Sequence, residues 1–334
     1  MSSFKKSIIS GTIWSIAGQV ATLLIILISN VILARMLSPK EFGQIGIIMF
    51  FIMLANVFTE GGLSGALIRK KNATKIDYST VFIFNLIVSI FCFLLLLLFS
   101  DFIANYYNDH LLKKLIIVSG FVLIINAFQI TQNAKLMSDM KFKQKTLYRF
   151  FAVLIATIIG LIFAYLGYGV WALVVIQLLI SFNMTLILWF FEGLHLSVKF
   201  NRKSFNELYG FGINTTIASL LNTTFDNIYQ LILAKHFSLN QTGFYYQAKK
   251  LQEVPTGVIN MVAQSVVFSS LSKLQDDKTL FINAYNKIFL YFLIVLGLIT
   301  ILTYVYAEQI ILLLYGKKWI DSVIYLQFLS VASF

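Results

Sequence analysis

TVFIFNLIVSIFCFLLLLLF (Thr80–Phe99) and ALVVIQLLISFNMTLILWFF (Ala172–Phe191) are each twenty residues long and carry no charge. No soluble fold hides several such runs. A helix that crosses a bilayer needs about 20 of them in a row. Only 12% of the 334 residues are charged and 59% are hydrophobic, where a soluble domain carries about 25% charged residues. The chain therefore reads as an all-α, polytopic membrane protein.

Hydrophobic segments are expected at approximately 9–34, 43–68, 79–99, 112–134, 148–167, 169–191, 208–234, 241–271, 281–306 and 320–334, with a short apolar piece at Ile310–Tyr315 before the last. The joining loops are short, and no soluble domain fits between spans. Lys and Arg gather on alternate sides. Lys5 and Lys6, Arg69 to Lys75, Lys135 to Arg149, Lys199 to Lys203 and Lys273 to Lys287 supply seventeen on one side, against seven on the other. Cytoplasmic loops hold the basic excess, so the N-terminus is expected in the cytoplasm. The net charge of +12 then needs no nucleic acid. MSSFKK runs into a long span without a clear cleavage site, which reads as a retained first helix.

Little catalytic chemistry is visible. The single cysteine, Cys92, lies inside an apolar run, and His110, His195 and His236 are far apart. Neither a disulfide framework nor a metal site is expected. A Gly-rich phosphate loop, a nucleophile elbow and HExxH are all missing from the sequence. A membrane glycosyltransferase or polymerase would need a substantial loop bearing acid, His or Arg clusters. The reading is a transporter, not an enzyme, with no cofactor.

One phrase occurs twice. ILARMLSPKEFGQIG (Ile32–Gly46) is answered 200 residues later by ILAKHFSLNQTGFYY (Ile232–Tyr246), with Lys235 in place of Arg35. Ser15, Gln19, Thr22 and Ser29 fall at helical spacing on the first span. Thr215, Ser219, Asn222 and Tyr229 repeat that stripe on the seventh, with Asp226 added opposite Ile26. DFIANYY (Asp101–Tyr107) and EQIILLLY (Glu308–Tyr315) recur at an offset near 207. Two copies of one bundle are expected: an N-terminal lobe of about six helices at 1–205 and a C-terminal lobe of about four at 206–334. Six spans separate the first from the seventh, so both copies enter from the same side. Such repeats are related by an axis along the membrane normal and place the substrate path between them. The second copy stops about 70 residues short of the first by the length a repeat of this kind requires, so a fragment with a truncated second lobe is expected. Both polar stripes are expected to face the space between lobes.

Ionisable residues inside spans point to function. Glu60 lies late in the second span with Asn56 and Ser64 a turn to either side, and Asp226 lies mid-way in the seventh. Both are candidates for ion coupling, to H+ or Na+. On the eighth span Lys250, Glu253, Gly257, Asn260 and Gln264 share a face, Lys249 adjoins it, and Pro255 is expected to kink the helix. Lys249 and Glu253 stand at pairing distance on a helix, and Arg35 and Lys235 lie where a long side chain reaches the interface. The candidate substrate-binding residues are Lys249, Lys250, Glu253, Arg35, Lys235, Gln19, Asn222 and Asn260.

Three stretches carry a resemblance: WSIAGQVATLLIILISNVILARMLSPKEFG (Trp14–Gly43), FTEGGLSGALIRKK (Phe58–Lys71) and QEVPTGVINMVAQSVVFSSLSKLQDD (Gln252–Asp277). They resemble the Wzx-type oligosaccharide flippases of the multidrug/oligosaccharidyl-lipid/polysaccharide exporter superfamily. Ser269 departs from the proline usual there. The resemblance implies two six-helix lobes around a central cavity, working by alternating access in the bacterial cytoplasmic membrane. It implies an undecaprenyl-pyrophosphate-linked oligosaccharide as substrate, for polysaccharide or lipopolysaccharide biosynthesis. It also brings the polymerase and export machinery into view as partners. Lys249 and Lys250 are the best placed for the pyrophosphate, with Glu253 holding one of them in the empty site. The alternative is an ion-coupled multidrug or cation antiporter of the same superfamily.

Overall fold

A computed structural model describes residues 2–193, 199–262 and 278–332. They form twelve α-helices: α1 (Ser2–Met36), α2 (Pro39–Glu60), α3 (Leu63–Arg69), α4 (Lys75–Tyr106), α5 (His110–Ser138), α6 (Phe142–Tyr165), α7 (Trp171–Glu192), α8 (Arg202–His236), α9 (Leu239–Val262), α10 (Lys278–Val305), α11 (Ala307–Leu314) and α12 (Ser322–Ala332). A 3₁₀ turn, Lys317–Trp319, joins the last two. Among the described residues, seven helices are long and apolar enough to cross a membrane. Their outer faces carry bare apolar side chains such as Leu98, Phe102 and Phe190, which suits lipid as the surrounding solvent.

Three details correct the expected spans. The segment 43–68 is not one helix: Gly61 and Gly62 adopt φ of 53° and 63°, and the chain restarts as α3. Only glycine takes two successive left-handed residues without strain. The span expected at 208–234 lies in α8, and the described part of that expected at 241–271 lies in α9. Among the described residues neither helix falls in the set that is apolar enough to cross, and 263–271 lie outside the described residues. Their polar stripes lower the average without shortening the helix. The last expected span is the shorter Ser322–Ala332 among the described residues. Pro255 sits inside α9.

α1 packs on α6, α6 on α7, α5 on α4 and α7, and α2 on α4 and α5. α2 also runs along α8 and α9, which joins the first six long helices to the rest. The repeated phrase lies at this seam, and its chemistry explains the repetition. Ser38 begins α2, and the Glu41 carboxylate returns to its N–H at 2.7 Å. Ser238 begins α9, and its hydroxyl accepts from Gln241 N–H at 3.1 Å. Both starts follow the Ser-x-x-Glu/Gln pattern that satisfies the free N–H groups of a first turn. One turn on stand Gly43 and Gly243, where the two helices touch backbone to backbone. A Cβ on Gly43 would overlap the Leu239 carbonyl, and one on Gly243 the Pro39 carbonyl.

The contacts around this seam are reciprocal elsewhere too. Arg35 donates from Nε to Leu314 O at 2.9 Å and from Nη2 to Leu313 O at 2.5 Å. Lys235 donates to Tyr106 O at 2.9 Å, and its ammonium lies 3.9 Å from the Tyr106 ring centroid. Arg35 and Lys235, at matching places in the repeated phrase, thus each meet the closing carbonyls of a helix distant in sequence. Trp319 completes the seam: it is fully buried against Phe42 and Phe244, and its indole N–H donates to Ala34 O at 2.8 Å.

Candidate functional site

Two cavities open beside the seam. The larger, ≈ 560 Å³, is walled by α2, α3, α5, α6 and α7. Its polar lining includes Asn56 and Glu60 from α2, Asn126, Gln129 and Asn133 from α5, and Lys145 and Arg149 from α6. Gln129 Nε2 donates to Asn126 Oδ1 at 2.6 Å, and Asn126 Nδ2 donates to Asn56 Oδ1 at 3.3 Å. The amides form a chain that leaves lone pairs and N–H groups for a hydroxylated guest. Asn133 Oδ1 is buried without a partner among the described residues, and a buried acceptor of that kind is normally satisfied.

The smaller cavity, ≈ 350 Å³, lies between α1, α2, α7 and α9. Leucine and isoleucine dominate its wall, with Asn30, Gln177, Lys250 and Glu253 as the strongest polar groups. Ile180 borders both cavities. At the floor, Asn30 Nδ2 donates to Gln247 Oε1 at 2.8 Å and to the Tyr315 hydroxyl at 3.2 Å. This polar plug ties α1 to α9.

The structure separates the two lysines that the sequence puts side by side. Lys250 faces the smaller cavity and pairs with Glu253 at 2.8 Å, while Lys249 turns to α8 and donates to Asp226 O at 2.6 Å and Asn227 Oδ1 at 3.1 Å. The expected Lys249–Glu253 pair is therefore replaced by Lys250–Glu253, while Lys249 bonds to oxygen acceptors on the neighbouring helix. Glu60 lies in the larger cavity. Asn222 and Asp226 are exposed on α8, and Gln19 is exposed on α1. Thr22 and Ser29 of the α1 stripe are turned inward: they are buried and donate to Gly18 O and Ile26 O of their own helix, and the Ser15 side chain lies outside the described residues. Arg35 and Lys235 are engaged with carbonyls at the seam and line neither cavity. The Asn260 side chain lies outside the described residues.

Sequence reasoning missed Lys145, Arg149 and the α5 amides. The charge pattern places the first two in a cytoplasmic loop, whereas they occupy the opening turns of α6. The signal for the others was present: Asn126, Gln129 and Asn133 recur at three and four residues within an apolar span, which puts them on one helix face.

An all-α bundle built on long apolar helices defines a polytopic membrane fold, and solved structures share it. "Lipid II flippase MurJ, inward closed conformation" superposes with a TM-score of 0.74 at 17% identity, over 97% of this chain and 74% of that one. An inward-facing multidrug resistance MATE family transporter superposes at 0.67 and 15% identity, over 93% and 78%. The chain belongs to the polysaccharide biosynthesis protein family, whose model matches residues 32–324. It is 27% identical to an "Uncharacterized membrane protein in cps region" of Klebsiella pneumoniae, over 99% of this chain and 69% of that protein. It is 26% identical to "Lipopolysaccharide biosynthesis protein WzxC" of Escherichia coli K12, over 98% and 67%. A "Putative O-antigen transporter" of Shigella flexneri is 28% identical, over 94% and 78%.

Proposed function

We propose that this protein moves undecaprenyl-pyrophosphate-linked oligosaccharides across the bacterial cytoplasmic membrane for polysaccharide synthesis. One observation carries the reading: a polar cavity of ≈ 560 Å³ and a mainly apolar one of ≈ 350 Å³ share the Ile180 wall. That pairing matches an amphiphile with a hydroxyl-rich head and a hydrocarbon tail. The amide chain on Asn56, Asn126 and Gln129 suits sugar hydroxyls. Lys250, with Glu253 as its partner in the empty site, suits the pyrophosphate that joins head to tail. Lys249 assists from the α8 side, and Glu60 and Asp226 are the coupling groups for H+ or Na+. The kinship with WzxC and with a putative O-antigen transporter supports the same substrate class.

The reciprocal contacts of Gly43 with Leu239 and of Gly243 with Pro39 support a division into lobes at 1–205 and 206–334. In this scheme the N-terminus is cytoplasmic, the Arg35 and Lys235 contacts close the outer end, and the larger cavity serves the inner face. A polymerase takes the delivered unit on the outer side. The test is deletion of the gene in its own host, with the leaflet of the lipid-linked units read by an impermeant periodate label. Accumulation on the cytoplasmic leaflet is expected. Units reaching the outer leaflet at the normal rate would refute transport by this protein.

A further inference from the structure

We infer that the larger cavity holds a second anion site, made by Lys145 and Arg149, which reads an acidic group on the carried glycan. The inference rests on the proposed transport of a lipid-linked oligosaccharide and adds the charge class of its sugar.

Lys145 and Arg149 are one turn apart on α6 and both line the ≈ 560 Å³ cavity. Like charges at that spacing repel each other. Among the described residues neither side chain forms a hydrogen bond or a direct ion pair. Other inner-end cations do find partners: Lys141 pairs with Glu192 at 2.9 Å, and Lys70 with Asp77 at 3.0 Å. Glu60 is the carboxylate that shares the cavity and interacts with Lys145 through space. Two cations against one acid leave the cavity with positive charge, and nothing in the packing of α6 requires it.

The neighbours define what accompanies the anion. Asn133 offers a buried, unpartnered carbonyl oxygen, which calls for a hydroxyl donor. The Asn56–Asn126–Gln129 chain adds further donors and acceptors on the α2 and α5 walls. A carboxylated sugar has both features: an anion for the two cations and hydroxyls for the amides. The pyrophosphate has a separate place. It is bonded directly to the polyprenyl tail and belongs beside the apolar cavity, where Lys250 stands. Lys145 and Arg149 line the other cavity, which shares Ile180 with the one that Lys250 lines.

The experiment uses the purified full-length protein in detergent and three probes: undecaprenyl pyrophosphate, a glucuronate-containing oligosaccharide and a neutral oligosaccharide of equal length. The wild type should bind the acidic oligosaccharide about tenfold tighter than the neutral one, since hydrogen bonds to charged groups are the strong ones. The double variant Lys145→Gln, Arg149→Gln should lose that preference and keep its affinity for undecaprenyl pyrophosphate. The charge-conserving pair Lys145→Arg, Arg149→Lys should retain the preference, which separates charge from folding. If the Gln variant loses undecaprenyl pyrophosphate instead, the site reads pyrophosphate and the inference fails. Equal binding of the two oligosaccharides by the wild type, with undecaprenyl pyrophosphate still bound, also overturns it. Failure of the wild type to bind undecaprenyl pyrophosphate at all would strike the transport reading itself.

Discussion

Gly43 and Gly243 lie 200 positions apart in sequence and face each other where α2 and α9 begin, each against the other's preceding turn. Lipid provides no hydrophobic force to join helices, so close backbone approach at small residues takes its place. The neighbouring Ser38 and Ser238 close the first turns of both helices through Glu41 and Gln241. A phrase that begins a helix and presses it against its own copy must be spelled twice.

Gly43→Val should therefore loosen the seam, and Gly243→Val should do the same. An added side chain meets backbone carbonyls that cannot rotate away, and overpacking of this kind costs about 1–3 kcal/mol. The double variant should lose less than the sum of the two, because once the helices part the second side chain meets open space. Thermal unfolding of the three variants in detergent reads this directly. Strict additivity would mean that the two glycines serve separate contacts.

Much of the fold is legible in the residues. The run Thr80–Phe99 lies wholly inside α4, and the repeated phrase carries its capping and contact residues openly. The break at Gly61–Gly62 falls between the apolar runs before Phe58 and after Leu63, and hydropathy averaged across both cannot see a backbone angle. The site was harder. Lys249 and Lys250 look like one unit in sequence but point to different neighbours, since adjacent helix positions diverge by 100°. Lys145 and Arg149 look like loop charges until α6 is placed around one cavity with α2 and α5. Which face of a helix meets a cavity depends on its neighbours, and no single helix contains that information.

Arg35 and Lys235 should behave as helix-end caps and not as ligands for the substrate. Arg35 holds the Leu313 and Leu314 carbonyls, and Lys235 holds Tyr106 O. A cation at a helix C-terminus contributes about 0.3–1 kcal/mol. Arg35→Gln should speed amide exchange around Tyr315, and Lys235→Gln should do so around Tyr107. Affinity for undecaprenyl pyrophosphate should stay within about twofold of wild type, as expected when no charge-assisted contact to the ligand is lost. A large loss of affinity with unchanged exchange would return these residues to the substrate site.

At the opposite end, Lys70 clasps α4 and α8 by pairing with Asp77 at 3.0 Å and Glu207 at 3.1 Å. Burial disfavours the ammonium, but the hydrogen bonds and charges of Asp77 and Glu207 outweigh it and raise the Lys70 pKa above its ordinary value. A base whose pKa is raised by folding stabilises fully below its unfolded pKa and loses that contribution as pH climbs through the folded one. The gap in melting temperature between wild type and Lys70→Met should thus be constant from neutral pH up to the ordinary lysine range and close above it. A gap that closes between pH 5 and 7 would contradict the assignment.

Glu253 should act as an internal competitor for Lys250. The pair is 2.8 Å apart and lines the apolar cavity, so the carboxylate occupies the position that a phosphate oxygen would take. Lys250 also lies 5.6 Å from the Tyr246 ring centroid, which keeps its ammonium at the cavity wall when the carboxylate leaves. Glu253→Gln removes the competing charge but keeps the side chain's size. Affinity for undecaprenyl pyrophosphate should rise about tenfold, as a charge-assisted partner is exchanged for the ligand instead of being displaced by it. Lys250→Gln should lower affinity by a similar factor. Lys249→Gln should have a smaller effect, because that ammonium is engaged with Asp226 O and Asn227 on α8. Titration of the three variants with undecaprenyl pyrophosphate in detergent gives the order. If Glu253→Gln weakens binding as much as Lys250→Gln does, the carboxylate positions the lysine and does not compete for it.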